Sequence, residues 1–476
     1  MPTVVDSELC TDHEEIQKVK LDSFQWFSIY ILLILTSLVI FSTLYHLYLK
    51  YYVDNNQHLL PKFNDNNNIN HTENQKSDKD IDPIKNVYTN VCLKNGKINR
   101  TLFQDFVLAF SFIENTQKLI ESDNRLAIVD TLRLLLTIGV YAVQAFNFSM
   151  MLTLQILRNQ IGTLPGQLIY QNRYFMARVP GVYIDGFIFT LGFTLYLSQS
   201  SRLKKSKGQF SYFSYMFKRW FRLSTAMLGT FVFLYLYTLL GDGPLWFIND
   251  RWVITPCKKV SSIISSFLYY SNWNPSIENY HSKGSFPICN PPTWFLSAST
   301  QIYAFLPLIF VPLYRWPEVG MTILLTFFAL SPFMTSSPTW FLGHLNYNDL
   351  TDIQSVGHFL RKFSNYHLNP LQYCTSVSTG IITGWILKNC PKFQFPGGRK
   401  TELFLWILSI SAIVGCFTTN NYFWTLEHKR PSWMTLSWII GVKFVWPLSL
   451  GYITFMCSSG RARKLTRIFN YVERNF

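Results

Sequence analysis

Residues 130–150 read DTLRLLLTIGVYAVQAFNFSM, and from Leu134 to Met151 no side chain is ionised. Asp130 and Arg133 stand just before this run. A helix from Leu132 to about Leu157 is long enough to cross a bilayer, whose ~30 Å hydrocarbon core needs about 20 residues. The run also carries polar groups that lipid disfavours: Thr137, Gln144 and Asn147. Gln144 lies about three helical turns beyond Arg133 on the same face. A charge at the mouth of a helix and an amide in its middle suit the lining of a polar cavity. The plainer reading, an amide hydrogen-bonded to a neighbouring helix, fits the same residue.

Composition extends this reading to the whole chain. Of 476 residues, 49% are hydrophobic and 17% aromatic, while only 14% are charged, against roughly 25% in soluble domains. Apolar runs of membrane-spanning length recur along most of the sequence, which predicts an all-α, polytopic transmembrane bundle of about nine spans. The formal charge of +15 does not imply nucleic acid, because Lys and Arg cluster in short connections between apolar runs and serve as topology signals. Eight cysteines include no CxxC and no Cys/His spacing suited to zinc, so no metal site is expected.

The chain then divides in order. Residues 1–23 form a polar, acidic terminus, and 24–49 a signal-anchor helix with Trp26, Tyr30, Tyr45 and Tyr48 as interfacial anchors. Residues 50–102, rich in Asn, Asp and Lys, read as a disordered linker with formal glycosylation sequons at Asn70 and Asn99. Residues 103–126 regain helical periodicity and predict an amphipathic segment on the membrane face. The transmembrane domain covers 127–457, with a loop at 242–292 and a basic tail at 458–476. Its further spans are expected at 179–198, 223–241, 293–314, about 320–335, 371–387, 402–419 and 433–457. Asp185 is the one charge of the span at 179–198, an intramembrane carboxylate and so a site candidate. Its structural alternative is an ion pair with Arg133 or Arg222. Lys443, inside the last span, points into the bundle or snorkels.

Orientation follows from the basic segments. Arg202, Lys204, Lys205, Lys207, Lys218, Arg219 and Arg222 crowd residues 199–222, which the positive-inside rule places in the cytoplasm. The amino terminus and the 242–292 loop then lie on the opposite side. The basic residues at 388–400 and 458–476 fall on the cytoplasmic side as well.

Several of these stretches resemble one family, the nose-resistant-to-fluoxetine branch of membrane acyltransferase family 3. Its Asn-Thr-x-x-Leu segment and its first helix, roughly G-x-R-x-x-x-x-x-W-V-x-x-G-H, are matched by Asn115, Thr116, Leu119, Arg133 and Val140. The family's Val-Asp-x-Phe-Phe-x-x-Ser-Gly stretch is matched by Asp185, Phe187, Phe189 and Gly192, and its Arg-x-x-Arg by Arg219 and Arg222. Gly243, Pro244, Leu245, Trp246, Cys257 and Cys289 match its loop, and Trp294, Leu296 and Gln301 its Trp-Tyr-Leu-x-Asn-Asp-x-Gln.

The resemblance implies transfer of an acyl group from an acyl-CoA-like donor to a hydroxyl acceptor, with no bound cofactor. It implies a Cys257–Cys289 disulfide, which the non-cytoplasmic side would preserve. It assigns Arg219 and Arg222 to the donor phosphates, a role their planar guanidinium groups suit. Arg133, Trp294 and Gln301 would line the cavity.

Two departures bear on chemistry. The family's catalytic histidine falls on Gln144, which cannot titrate, and its Asn-Asp pair falls on Ala298 and Ser299. The alternative to an enzyme is therefore a silent relative that binds or moves a membrane lipid or small hydrophobic molecule. Family members continue with further helices, so the resemblance also implies a chain shortened at its carboxy-terminal end. The endoplasmic reticulum or the plasma membrane is the expected location.

Overall fold

The structure, a computed structural model, describes residues 21–55, 93–94, 97–98, 102–120, 127–156, 180–241, 255–273, 289–290, 292–342, 368–390, 393–424 and 432–462. The sequons at Asn70 and Asn99 and the extreme termini lie outside the described residues. The chain forms two compact units, Val19–Asp123 and a larger one comprising Asn124–Phe476 with Met1–Lys18.

In the smaller unit, helix α1 (Ser23–Asn55) carries the predicted anchor. The expected amphipathic segment is two short helices, α2 (Leu102–Leu108) and α3 (Phe112–Ile120), separated by a turn. Ser42 of α1 donates to the Val107 carbonyl at 2.6 Å, and Ser111 meets His46 Nδ1 at 3.1 Å. Within the expected linker, β1 (Leu93–Lys94) and β2 (Lys97–Ile98) pair antiparallel. The residues between them are Asn95-Gly96, a pair strongly favoured in two-residue hairpin turns.

The larger unit carries no strand among its described residues; helices joined by turns build it. Its helices are α4 (Ala127–Ile156), α5 (Pro180–Lys205), α6 (Tyr212–Tyr237) and the short α7 (Val260–Phe267). They continue with α8 (Thr293–Phe305), α9 (Pro307–Arg315), α10 (Pro317–Leu342), α11 (Cys374–Asn389), α12 (Gly398–Trp424) and α13 (Ser432–Ser458). Prolines open α5, α9 and α10, where the missing N–H costs nothing. Arg202, Lys204 and Lys205 close α5, where cations complement the helix dipole.

The bundle is built on the α5–α11 contact. A Cβ at Gly380 would come within 2.2 Å of the Phe189 carbonyl oxygen, so only glycine lets the two backbones meet there. This is the small-residue packing expected of membrane helices, which gain little from hydrophobicity alone. Along α11, Thr375, Ser376, Ser378, Thr379 and Thr383 are buried. Thr379 and Thr383 return their hydroxyls to carbonyls one turn back at 2.8 Å, satisfying themselves without water. Ile188, Phe189, Phe193, Tyr373 and Ile381 are fully enclosed around this seam.

Helix α4 packs on α5, with Leu136 against Gly186 and Gly139 against the Tyr183 ring. Far from the seam the surface is apolar: Leu403, Phe404, Ile407, Ile410 and Val414 of α12 are all more than half exposed. A helix with such an outer face needs lipid around it.

Five helical stretches among the described residues are long and apolar enough to cross a membrane: Ser23–Tyr51, Gly181–Lys205, Thr293–Arg315, Gly398–Thr419 and Ile440–Ser458. The spans expected at 132–157, 223–241, 320–335 and 371–387 coincide largely with α4, α6, α10 and α11, which are helical but not among those five. The chain is thus an all-α membrane bundle.

Candidate functional site

The bundle brings two buried cations into different surroundings. The first is Lys443 of α13. Its Nζ lies 2.7 Å from Asp185 Oδ2 on α5, with both side chains nearly excluded from solvent (11% and 4% exposed). The other carboxylate oxygen accepts from Ser376 Oγ of α11 at 2.8 Å. The Tyr373 ring, at the entry to α11, sits 4.7 Å from the ammonium. Three helices therefore meet on one carboxylate.

Neither partner expected for Asp185 reaches it. Arg133 is held at Asp130 (3.5 Å) and at Thr194 Oγ1 (3.3 Å). Thr194 lies nine residues along α5 from Asp185, about 13 Å at 1.5 Å per residue. Arg222 is exposed on α6. The ion pair belongs to Lys443, a residue the sequence places 258 positions away.

The second cation is Arg219 of α6, 6% exposed. Its terminal nitrogen donates to Ser299 Oγ on α8 at 3.1 Å, and its guanidinium carbon lies 4.3 Å from the centre of the Tyr303 ring. Tyr215 stacks on the same Tyr303 ring, with centroids 4.0 Å apart, and donates to the Tyr303 carbonyl at 3.0 Å. Among the described residues Arg219 Nε has no acceptor and no carboxylate pairs with the group. The two residues of the Arg-x-x-Arg thus differ: Arg219 points into the bundle, and Arg222 is exposed. At the same basic end, Lys388 donates to Ser200 and Ser201 at 2.6 and 2.8 Å. Burial first, and then nearby Lys204, hold its ammonium below the usual lysine range.

The remaining expected residues are structural in their surroundings. Gln301 and Asn272 form a reciprocal amide pair: Gln301 Nε2 donates to Asn272 Oδ1 at 2.7 Å, and Asn272 Nδ2 returns to Gln301 Oε1 at 3.1 Å. Gln301 also donates to the Tyr269 carbonyl and accepts from Trp273, so the amide joins α8 to the segment after α7. Trp294 is buried beside Phe295 in the main apolar cluster. Cys257 and Cys289 are bonded, with Cα atoms 4.5 Å apart. Ala298 and Ser299, at the Asn-Asp position, are buried.

The side chain of Gln144 lies outside the described residues, but its backbone is in α4. It stands five residues beyond Gly139, which meets Tyr183, while Asp185 lies two residues the other way along the antiparallel α5. The two positions are thus separated by about 10 Å along the bundle. The residues that the sequence did not single out are Ser376, Tyr373 and Tyr303, each an uncharged side chain in an apolar or aromatic run.

Among the described residues no group of three or more His, Cys, Asp or Glu is placed to hold a metal ion. Comparison with curated proteins returns no match, and neither does comparison with solved structures. A family model described as an acyltransferase domain matches residues 126–475, which spans the whole helical seam and both cation sites. The chain belongs to the acyltransferase 3 family of membrane proteins.

Proposed function

We propose that this chain binds an acyl-CoA-like donor at its basic, cytoplasmic end and passes the acyl group to a hydroxyl acceptor slowly. The observation that carries the donor half is Arg219: a buried guanidinium whose Nε has no acceptor and which meets no carboxylate among the described residues. A buried cation of this kind is costly unless an anion completes it. Phosphate is a fitting anion for a planar fork of donors, and exposed Arg222 extends the reach toward a second phosphate.

The acceptor half is weakened by two features. A hydroxyl must lose its proton as it attacks the thioester, and Gln144, at the family's base position, cannot take it. Asp185 has both oxygens engaged by Lys443 and Ser376. Loss of a general base lowers rates by about 10²–10⁴.

The engagement of Asp185 favours a second reading, a silent relative that binds or moves a lipid or small hydrophobic molecule. One experiment separates the two. Full-length protein in liposomes is given radiolabelled acyl-CoA, and bound donor and released CoA are measured in wild type, Gln144→His and Gln144→Ala. Donor binding in all three, with CoA release rising at least tenfold only in Gln144→His, supports the slow transferase. Donor binding with no release in any variant supports the silent relative. Rapid release by wild type that Gln144→Ala leaves unchanged places the chemistry elsewhere.

A further inference from the structure

Helix α7 and the turn after it have an inverted pattern. Val260, Ile264 and Leu268, one helical turn apart, are 63%, 46% and 61% exposed, and Trp273 beyond them is 63% exposed. On the other face Ser262, Ser265 and Ser266 are buried. A helix in a water-facing loop turns its serines outward and its aliphatic side chains inward. The reverse is stable only where the outer face meets hydrocarbon.

The hydrogen bonds agree. Ser265 and Ser266 return their hydroxyls to the Ser262 carbonyl, each at 2.9 Å, and ask nothing of water. The last carbonyls of a helix have no partner within it. Here the Phe267 carbonyl accepts from Trp220 Nε1 at 3.0 Å and the Tyr269 carbonyl from Gln301 Nε2 at 2.9 Å. Side chains thus replace the water that normally solvates such an end. Irregular backbone is tolerated at membrane depth only with such protein partners.

Depth can be read from the neighbours. Cys257, just before α7, accepts from Tyr235 at the far end of α6 and is bonded to Cys289, four residues before α8 begins. The turn after α7 meets Trp220 and Ser224 of α6 and Gln301 of α8. From Tyr235 to Trp220 is fifteen residues, about 22 Å along α6, and from Thr293 to Gln301 eight residues, about 12 Å along α8. Helix α8 belongs to the stretch Thr293–Arg315, itself long enough to cross the bilayer. The segment therefore descends between about two fifths and three quarters of a ~30 Å hydrocarbon core.

We propose that residues 255–273 form a re-entrant membrane segment whose Val260–Ile264–Leu268 face lies against lipid acyl chains. The occupant is the bilayer, because α6, against which the segment packs through Trp220 and Ser224, also exposes apolar side chains at Phe221 and Leu228. The disulfide and the Gln301–Asn272 pair hold the two ends of the segment at different depths.

The test leaves every native cysteine in place. The photo-reactive residue p-benzoylphenylalanine is inserted singly at Ile264 or Leu268, with exposed Lys258 as the shallow control, in full-length protein in its membrane. After illumination, phospholipid adducts are expected at 264 and 268 and not at 258. Chain-to-chain adducts at 264 and 268 would make the face a dimer contact and overturn the proposal. A collisional measurement on a nitroxide-bearing unnatural amino acid inserted at Ile264, which needs no added cysteine, supplies an independent reading. Preferential contact with oxygen supports burial in the bilayer, and preferential contact with a water-soluble nickel chelate overturns it.

Discussion

Lys443 and Arg219 are both cations taken out of water by the same bundle, yet one is matched and the other is not. Lys443 meets a carboxylate at 2.7 Å, and that carboxylate is completed by Ser376. Among the described residues Arg219 meets a hydroxyl at 3.1 Å and an aromatic face, and no carboxylate. The sites are also distant. Arg219 lies seven residues into α6, about 10 Å from its start, whereas Asp185 lies twenty residues before the end of α5, about 30 Å from the turn that joins the two helices. A matched buried pair fastens helices. An unmatched cation leaves room for a ligand that brings the missing charge, and the proposed donor site rests on that difference.

The largest effect should come from breaking the matched pair. Removing one member leaves an uncompensated buried charge, at a cost of about 3–5 kcal/mol. Asp185→Ala and Lys443→Ala should each lower the melting temperature of the detergent-solubilised protein markedly. The double variant should recover much of the loss, since it buries no charge. Equal losses that simply add in the double variant would show that the two groups do not act together.

Arg219→Ala should behave differently: little loss of stability, large loss of ligand. A hydrogen bond to a charged group contributes about 1.5–3 kcal/mol, so affinity for an acyl-CoA should fall roughly 10- to 150-fold. Arg219→Lys should restore part of it, because an ammonium keeps the charge but loses the fork. Unchanged affinity in Arg219→Ala would turn Arg219 into a purely structural residue.

This contrast was only partly legible in the sequence. The helices were legible because apolar run length reports on the bilayer directly, and the tight α5–α11 seam is foreshadowed by Gly380-x-x-x-Gly384. The Asp185–Lys443 pair was half legible. A single carboxylate in one apolar run and a single ammonium in another, 258 residues apart, imply each other, because neither is stable alone in lipid. Arg133 and Arg222 were nearer in sequence, and chain proximity misled. Ser376 and Tyr303 were not legible at all. A serine or tyrosine in an apolar run has the same pattern whether it holds a charge or fills space, and only packing tells them apart. Arg219 and Arg222 were visible as a pair, but their division into one buried and one exposed depends on how α6 is turned toward α8.

A smaller effect should come from matching the unmatched cation. Ser299→Asp would place a carboxylate where Ser299 Oγ now accepts from Arg219, 3.1 Å away. The new pair should raise the melting temperature and, by occupying the guanidinium, weaken acyl-CoA binding about tenfold, a difference of ~1.4 kcal/mol. Stability and affinity should move in opposite directions, which a simple packing change would not produce. If both fall together, the aspartate has disturbed the site instead of completing it.

The smallest effect is expected at Arg222, and it sharpens the comparison by depth. Arg222 shares the motif and the helix with Arg219 but is exposed at the surface of the bundle, toward its basic end. An exposed charge acts through water, where screening over about 8–10 Å at physiological salt removes most of its pull. Exposed ion pairs contribute little for the same reason. Arg222→Ala should therefore weaken acyl-CoA binding only about threefold at low salt, and the loss should vanish as ionic strength rises toward 1 M. The loss in Arg219→Ala should persist at every salt concentration, because a buried guanidinium is not screened. Titrations of both variants across that range measure the difference directly. Identical salt dependence in the two would mean that Arg219 and Arg222 present the same environment to the ligand, and the distinction between a buried and an exposed donor contact would fall.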